Sequence, residues 1–376
     1  MRIWIDGYEA NVFERVGSGQ VAFELLKNLE KIDTYNDYTI LLPQKPLSDL
    51  PNQRKNWQYK ILRPKRLWTR IALPLQLLTS FKKPNIFFSP THYLPKLLNV
   101  KSVNTIFDLS PERFPEMFLK KDLYKLKNWT KESAKKADHI ITISESSKKD
   151  IIKFYDISSQ KITVAYPGYK AQVFYPIKDY RKINQIKDKY GIKKSRYIIF
   201  VGTIQPRKNL IRLIEAFKVI QDLKLVIVGK TKGEGRQAWM YDEILQKPKQ
   251  LGIAEKIIFT GFVPETELPF LINGSVAFIL PSLWEGFGIP VVDAMACGVP
   301  VIVSSISSLP EVVGDAGILI NPNSVKEIQE AIIKIATDKK LWNRKSDASL
   351  HQAKKFSWEK MARVVLKVFE EVAKTK

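Results

Sequence analysis

The sequence holds few of the residues on which cross-links and metal centres are built. Cysteine occurs once, at Cys297, and histidine three times, at His92, His139 and His351. A single cysteine excludes a disulfide framework and a cysteine-rich metal site, and it is typical of a protein from a reducing compartment. The three histidines show no metal-ligand spacing. The sequence therefore gives no sign of a structural metal.

Long apolar runs are also missing. The N-terminal segment MRIWIDGYEANVF has no basic stretch followed by an apolar one, and no apolar run approaches the roughly 20 residues of a membrane span. These absences predict a soluble, cytoplasmic protein. Hydrophobic residues nevertheless make up 45% of the chain and aromatic residues 11%, so packed cores are expected and disorder is not indicated.

Acidic residues are outnumbered by basic ones. The chain has 38 Asp and Glu against 61 Lys and Arg, a formal net charge of +23. A field of this sign attracts nucleic acid, anionic membrane surfaces or phosphorylated small molecules. Nucleic acid has the weakest support, because the chain shows no helix-turn-helix, RNP or zinc signature. Much of the excess charge can equally be solvated surface.

Two sets of short apolar runs predict two parallel sheets. The first set is MRIWID, YTILLP, NIFFSP, SVNTIFD, DHIITIS and KITVAYPG; the second is YIIFVGT, LKLVIVG, KIIFTGF, VAFILPS, VPVIVSS and GILINP. Longer amphipathic stretches alternate with them, which is typical of α/β folds with right-handed crossovers. The runs are nearly continuous in apolar residues, as expected for strands whose two faces are both covered.

A chain of 376 residues exceeds the size that one core usually supports, so two domains are expected. We assign residues 1–175 to an N-terminal domain, 176–196 to a linker with a short helix, 197–355 to a C-terminal domain and 356–376 to a final helix. Open α/β sheets bind ligands beyond the carboxyl ends of their strands. The chemistry is therefore expected on loops that follow strands.

Two such loops carry weaker signals. After the first strand, Gly17 and Gly19 precede a helix and would let the backbone approach a phosphate, although a plain turn explains them equally well. After the first strand of the second set, Arg207 and Lys208 stand at the start of a helix. Two adjacent cations there suit a pyrophosphate, and the alternative is a solvated pair.

The segment LPSLWEGFGIPVVDAMACGVPVI carries the strongest signal. Glu285 and the turn Gly286-Phe287-Gly288 follow a strand, and Pro290 marks the first turn of a helix. The glycines allow close backbone approach to a sugar-phosphate. Asp293, about one turn into the helix, can face the same space. A favourable interaction with the helix dipole, worth roughly 0.3–1 kcal/mol, would explain Asp293 alone. It would not explain Glu285 or the glycines.

These segments resemble a known enzyme family. EGFGIPVVDAMACGVPVI is similar to the E-G-F-G-[LI]-P-x-x-E-A-M-A-x-G-x-P-V signature of GT4-type retaining glycosyltransferases of GT-B fold. RVGSGQVAFELLKNL resembles the N-terminal glycine loop of that family, FDLSPERFPEMF its HDLSPLRFPE loop, VGTIQPRKNLIRLIEAF its diphosphate loop and FTGFVPETELPFL its nucleobase loop. The resemblance covers the whole chain. It implies two Rossmann-like parallel α/β domains facing a cleft, with a C-terminal helix returning to the N-terminal domain.

The resemblance also implies an activity: transfer of a hexose from a nucleotide diphosphate sugar, with retention, to a saccharide or lipid-linked acceptor in cell-surface glycan synthesis. Arg207 and Lys208 would neutralise the leaving diphosphate, and Glu285 would contact the donor sugar. The other implied donor-binding residues are Gly17, Gly19, Phe262, Val263, Gly286, Phe287, Gly288, Ile289 and Asp293. No cofactor or metal is implied, because the GDP-, UDP- or dTDP-linked donor is itself the substrate. A mannosyl or rhamnosyl donor is weakly favoured.

Two positions depart from the family pattern. The second acid of the signature, which would contact the ribose, is usually Glu; here it is Asp293, shorter by one carbon–carbon bond of about 1.5 Å. The histidine of the HDL motif is replaced by Phe107, which precedes Asp108 on the expected acceptor side. Because Phe107 replaces the histidine, a non-catalytic protein that binds nucleotide sugars is an alternative to the enzyme. Another GT-B enzyme, such as an epimerase or a sugar phosphorylase, is a further alternative.

Basic and apolar residues are mixed in the segments ILRPKRLWTRIALPLQLLTSFKK and FLKKDLYKLKNWTKESAKK. The first places cations around Trp68, Ile71, Leu75 and Leu78, and the second mixes lysines with Tyr124 and Trp129. This composition predicts a protein at the inner face of an anionic membrane. The alternative is an ordinary helix that packs on the sheet with its basic side in water. The cations of the first segment are Arg63, Lys65, Arg66, Arg70, Lys82 and Lys83.

Overall fold

The computed structural model describes residues 1–96, 99–230 and 241–374 and divides the chain into two units. Unit 1 contains Met1–Gly168 and the segment from Ser357 onward; unit 2 is Tyr169–Phe356. The predicted linker 176–196 lies within unit 2, because the backbone N–H of Ile177 donates to Asn273 Oδ1 at 2.8 Å and anchors this segment there. The last two residues of the predicted final helix, 375 and 376, lie outside the described residues.

Unit 1 is built on a seven-stranded parallel sheet with the order β3-β2-β1-β4-β5-β6-β7. The strands β1 to β7 are Arg2–Asp6, Asp37–Leu42, Trp57–Ile61, Ile86–Ser89, Lys101–Ile106, His139–Thr142 and Ile162–Val164. All six predicted strands are present. The sequence patterns predict no strand at β3, because its residues WQYKI alternate polar and apolar side chains at the edge of the sheet.

The helices of unit 1 cover this sheet. They are α1 Ser18–Ile32, α2 Leu73–Thr79, α3 Ser110–Arg113, α4 Lys120–Tyr124, α5 Thr130–Lys136 and α6 Glu145–Tyr155. Two π-helical turns, Trp68–Ala72 and Lys125–Trp129, run directly into α2 and α5. Apolar residues of the strands and of the inner helix faces form the core, among them Trp4, Phe87 and Ile140.

Unit 2 repeats the design with a six-stranded parallel sheet of order β10-β9-β8-β11-β12-β13. These strands, β8 to β13, are Tyr197–Val201, Lys224–Val228, Ile257–Gly261, Ala277–Leu280, Val301–Ser304 and Ile318–Ile320, and all six were predicted. The helices are α7 Tyr180–Lys189, α8 Leu210–Ala216, α9 Tyr241–Gln250, α10 Leu268–Asn273, α11 Ile289–Ala296, α12 Leu309–Val313, α13 Val325–Thr337 and α14 Lys339–Ala353.

The last helix, α15 (Trp358–Lys374), belongs to unit 1. Its Phe369 ring meets Phe88 of β4 edge-on at 5.1 Å, and both side chains are fully buried. Gly168 of unit 1 packs against the start of this helix, since a Cβ added to Gly168 would lie 2.1 Å from the backbone nitrogen of Trp358. The expected architecture of two parallel α/β sheets with a returning C-terminal helix is therefore confirmed.

No helix in the described part of the chain is both long and apolar enough to cross a bilayer.

Candidate active site

The strand order of unit 2 creates a crevice beside β8. The chain adds β9 and β10 on one side of β8 and then places β11 on the other side, so the connections after β8 and β11 run in opposite directions. Open α/β sheets bind their ligands at this switch point, outside the carboxyl ends of the strands. The loops after β8 and β11 hold Arg207, Lys208 and Glu285, which the sequence singles out.

The two loops are joined by hydrogen bonds. Arg207 and Lys208 lie in a 3₁₀ turn, Pro206–Lys208, which is followed by Asn209 with a φ of 60°. The Leu283 N–H donates to the Arg207 carbonyl at 2.8 Å, and the Asn209 side-chain amide donates to the Pro281 carbonyl at 3.0 Å. The loop after β8 therefore holds the loop after β11 in register, although the two are separated by about 70 residues of sequence.

Glu285 is the centre of this arrangement. Its carboxylate is 2.6 Å from Lys208 Nζ and 3.4 Å from Arg207 Nη1, and all three side chains are largely buried. Arg207 Nη1 also donates to the backbone carbonyl of Trp284. The structure thus brings the three predicted catalytic residues together as one buried ion cluster.

The pKa of Glu285 reflects this cluster. Burial alone would raise the pKa, because a buried carboxylate loses its hydration. The charges of Lys208 and Arg207 and the hydrogen bond from Lys208 outweigh that penalty and lower the pKa to about 2. Glu285 is therefore an anion at every pH at which the protein would work.

The backbone around Glu285 is also held in place. The Glu285 N–H donates to Ser307 Oγ at 3.2 Å, and Ser308 Oγ donates to the carbonyls of Glu285 and Phe287 at 3.0 and 3.2 Å. Gly288 begins α11 with a φ of 100°, and a Cβ there would lie 2.9 Å from Leu309 Cδ2, so only glycine suits the position.

The predicted donor-binding residues of this turn differ in what they can offer. The Phe287 side chain is buried and packs edge-on against Phe356 at 5.3 Å, so the ring belongs to the core. Gly286 and Ile289, on either side of Phe287 and Gly288, complete the turn and start α11. The polar groups that this segment can offer to a ligand are its backbone N–H groups.

Asp293 is buried in α11 and has different neighbours from Glu285. Burial raises its pKa well above the ordinary value, the charge of Glu265 raises it further, and Lys170 opposes both. Lys170 and Glu265 form an ion pair at 2.8 Å. Asp293 thus faces the loop that follows β10, whereas Glu285 faces the cations after β8.

The loop after β10 contains Phe262 and Val263. The Phe262 ring is 63% exposed and lies 5.9 Å from Lys230 Nζ, so it is free to stack on a planar group. Val263 is buried, so its side chain supports the loop. Glu265 in the same loop lies close enough to Asp293 for its charge to raise the Asp293 pKa. The residues predicted to bind the base and the ribose therefore lie at one edge of the sheet.

In unit 1, only one of the two glycines expected before the first helix precedes α1, and the other lies within it. Gly17 has a φ of 53° and is the residue before α1, with no other atom close to the position of a Cβ. Gly19 is buried in the first turn of α1, where a Cβ would lie 3.1 Å from the Glu9 carbonyl. Gly17 is therefore required by backbone conformation and Gly19 by close packing.

The acceptor-side candidates lie after β5. Phe107 is buried, and the Asp108 carboxylate accepts from the Ser110 N–H at 2.8 Å, which stabilises the start of α3. His92, which sequence reasoning missed, meets the Phe107 ring edge-on at 5.3 Å. Burial lowers the pKa of His92 and the charge of Asp108 opposes it. His92 and Phe107 come together because β4 and β5 are neighbours whose carboxyl ends share one edge of the sheet.

The described residues contain no group of three or more His, Cys, Asp or Glu side chains arranged to hold a metal. Unit 2 has two largely buried cations beside the Glu285 carboxylate, and the backbone N–H groups of the turn before α11 follow Glu285 in the chain. Such a site can bind a diphosphate and stabilise it as it leaves.

Each half of the chain matches a family profile. Residues 182–355 match the glycosyl transferases group 1 family, and residues 17–173 match glycosyltransferase family 4. The chain is 32% identical over 278 residues to O-antigen chain mannosyltransferase B of Escherichia coli, covering 74% of this chain and 72% of the relative. It is 31% identical over 264 residues to O-antigen chain mannosyltransferase RfbU of Salmonella typhimurium, covering 70% and 68%.

Solved structures share the fold. Sucrose-phosphate synthase from Thermosynechococcus elongatus superposes with a TM-score of 0.80 at 16% identity, covering 99% of this chain and 98% of the other. Anabaena HepE, solved in complex with UDP and glucose, has a TM-score of 0.76 at 18% identity, covering 98% and 99%. The structures show the fold and the sequence relatives show the family: the chain belongs to the GT4-type glycosyltransferases of GT-B fold and is a hexosyltransferase.

Proposed function

We propose that this enzyme transfers a hexose, with retention, from a nucleotide diphosphate sugar to a glycan or lipid-linked acceptor in cell-surface polysaccharide synthesis. The buried cluster of Glu285, Lys208 and Arg207 at the switch point of unit 2 carries the proposal. The O-antigen mannosyltransferases among its relatives favour mannose as the sugar. A lipid-linked acceptor would place the enzyme at the inner face of a membrane.

The geometry supports a specific role for each charge. Without donor, Glu285 neutralises Lys208 and Arg207. A bound diphosphate brings its own negative charge to the two cations and takes over part of this pairing. The cations then stabilise the charge that develops as the sugar–phosphate bond breaks, and Glu285 is left facing the sugar, where an anion favours the oxocarbenium-like transition state.

In this proposal, Asp293 binds the ribose of the nucleotide. A buried carboxyl with a raised pKa can accept a hydrogen bond from a ribose hydroxyl and also donate one. We expect Asp293→Ala to weaken nucleotide diphosphate binding about ten-fold or more, because a ribose hydroxyl loses its partner. Asp293→Glu should be tolerated. Calorimetric titration with the nucleotide diphosphate measures both, and normal affinity of the Ala variant would contradict the assignment.

A donor screen tests the function itself. The purified protein is incubated with GDP-, UDP- and dTDP-linked hexoses and a panel of saccharide and lipid-linked acceptors, and product and released nucleotide diphosphate are measured. We expect one GDP- or dTDP-linked donor to give a product whose anomeric configuration, read by NMR, matches that of the donor. An inverted product would refute the retaining mechanism.

The replacement of the family histidine by Phe107 favours one rival, a protein that binds nucleotide sugars without using them. The same screen separates the two functions. A binder would hold the donor, as shown by calorimetry, and yet release no nucleotide diphosphate with any acceptor. Turnover with a single acceptor is enough to exclude it.

A further inference from the structure

A row of large apolar side chains on unit 1 faces solvent. Leu67, Ile71, Leu75, Leu78 and Phe81 are each between 42% and 105% exposed. They follow one another at intervals of four, four, three and three residues, from the residue before the π-helical turn to the second residue after α2. Within the helical part, Ile71, Leu75 and Leu78 have the spacing of one helix face. We call these five residues the apolar ridge.

The opposite face of the same helix is fixed to the sheet. Trp68, Ala72, Leu73 and Leu77 are buried in the core of unit 1, and the Trp68 indole N–H donates to Asp6 Oδ1 at 2.9 Å. Trp68 therefore points inward, so its place among the apolar residues predicted for membrane contact is wrong, and Leu67 and Phe81, which were not predicted, are exposed instead. The helix is apolar on both sides, and core packing explains only one of them.

The sequence segment that carries the apolar ridge has charges of one sign. Between Asp49 and Asp108 the chain has no acidic residue and eleven Lys or Arg. Arg63, Lys65 and Arg66 are exposed just before the ridge, and Lys82 is exposed just after it. No carboxylate in the described part of the chain forms an ion pair with these four residues. The ridge is thus flanked at both ends by cations that stand free of acidic partners.

A second basic element lies next to the ridge. The Arg70 guanidinium stacks at 4.0 Å on the Trp129 ring and pairs with Glu132 at 3.2 Å, which joins the π-helical turn of the ridge to the Lys125–Trp129 turn and α5. This turn and α5 carry three exposed cations, Lys125, Lys131 and Lys135, beside the single exposed acid Glu132, and Tyr124 just before the turn is exposed as well.

We propose that the apolar ridge and its flanking cations are the surface by which this protein docks on an anionic lipid bilayer. A helix that lies flat with an apolar outer face and cations at its margins suits the headgroup–acyl boundary, where apolar side chains enter and cations meet anionic headgroups. A protein partner would be expected to meet charges of both signs in patches, and an acid-free run of 58 residues is better matched by the continuous negative charge of a bilayer.

Sedimentation with vesicles tests the surface. We expect the protein to sediment with vesicles of equal phosphatidylglycerol and phosphatidylcholine and to stay in solution with phosphatidylcholine alone. Lys65→Glu with Arg66→Glu should weaken partitioning about 25-fold or more, at about five-fold for each cation lost. Leu75→Gln with Leu78→Gln should weaken it about ten-fold or more. Matched controls on unit 2, Lys339→Glu with Lys340→Glu and Ile333→Gln, should bind like the parent.

The single, buried cysteine permits a direct readout of contact. Leu75→Cys and Ile333→Cys, each labelled with an environment-sensitive fluorophore, place a probe on the ridge or on α13. We expect a blue shift with anionic vesicles at position 75 alone. A silent probe at position 75 while the protein sediments, or a protein that stays in solution with anionic vesicles at low salt, overturns the proposal. So does a ridge variant that changes only self-association.

These measurements need neither donor nor acceptor, so they stand apart from the proposed function. Nucleotide diphosphate binding to unit 2, measured on the same ridge variants, should be unchanged. A protein that transfers sugar but ignores vesicles refutes the docking surface alone, and one that binds vesicles but transfers nothing refutes the proposed function alone.

Discussion

Replacing Glu285 with Gln is expected to lower sugar transfer about 10³-fold while nucleotide diphosphate binding persists. Gln keeps the shape of the side chain and removes its negative charge, so Lys208 and Arg207 lose their partner in the free enzyme and become more available to the diphosphate. What is lost is the anion that faces the sugar. Initial rates with the donor identified by the screen, together with calorimetry, measure the two effects.

The exposed carboxylate Glu330 on α13 supplies the control for this change. It pairs with Lys326 at 3.8 Å in the same unit, and Glu330→Gln should leave transfer unchanged. Because the pKa of Glu285 is lowered to about 2, its carboxylate is ionised over the whole range from about pH 5 to 9. The ratio of parent to Glu285→Gln activity should therefore be constant over that range. A folded Glu285→Gln enzyme with parental rates would contradict the role of this residue.

Lys208→Ala is expected to lower turnover 10²–10³-fold, an order of magnitude typical of losing one preorganised charge donor. Lys208 contacts Glu285 at 2.6 Å, whereas Arg207 is 3.4 Å away and is also bound to the Trp284 carbonyl, so Arg207 is poorly placed to take over. Steady-state rates of the folded variant, checked by circular dichroism, give the effect.

Lys326→Ala is the matched control, because it removes an exposed lysine from a surface ion pair within α13 of the same unit. Such pairs contribute at most about 1 kcal/mol to stability, and no residue of α13 is assigned to donor binding. Its turnover should match the parent. Near-normal turnover of Lys208→Ala would instead show that the cation cluster does not bear on the leaving diphosphate.

The sequence predicted the fold well because buried parallel strands are short apolar runs with a simple order. Twelve of the thirteen described strands were predicted, and the exception, Trp57–Ile61, is an edge strand with alternating polarity. The location of Glu285, Arg207 and Lys208 was also predictable, because carboxyl ends of parallel strands share one edge of a sheet.

Side-chain direction was harder to predict. The ion pair between Lys208 and Glu285 joins positions 77 residues apart, and no local spacing reveals it. The inward turn of Trp68 and the outward turn of Leu67 depend on the exact phase of a π-helical turn, which differs from the 3.6-residue period. The contact between His92 and Phe107 depends on which strands are neighbours, a property of the sheet order.

The return of α15 to unit 1 has a consequence for folding while the polypeptide is still being synthesised on the ribosome. Unit 2 is one continuous stretch, Tyr169–Phe356, and all of its strands have been synthesised before α15 begins. Unit 1 emerges first but is completed last, because Phe88 and its neighbours remain uncovered until Phe369 arrives. A nascent chain therefore carries an open apolar sheet face through the synthesis of nearly two hundred further residues, and a premature stop before α15 leaves that face permanently bare.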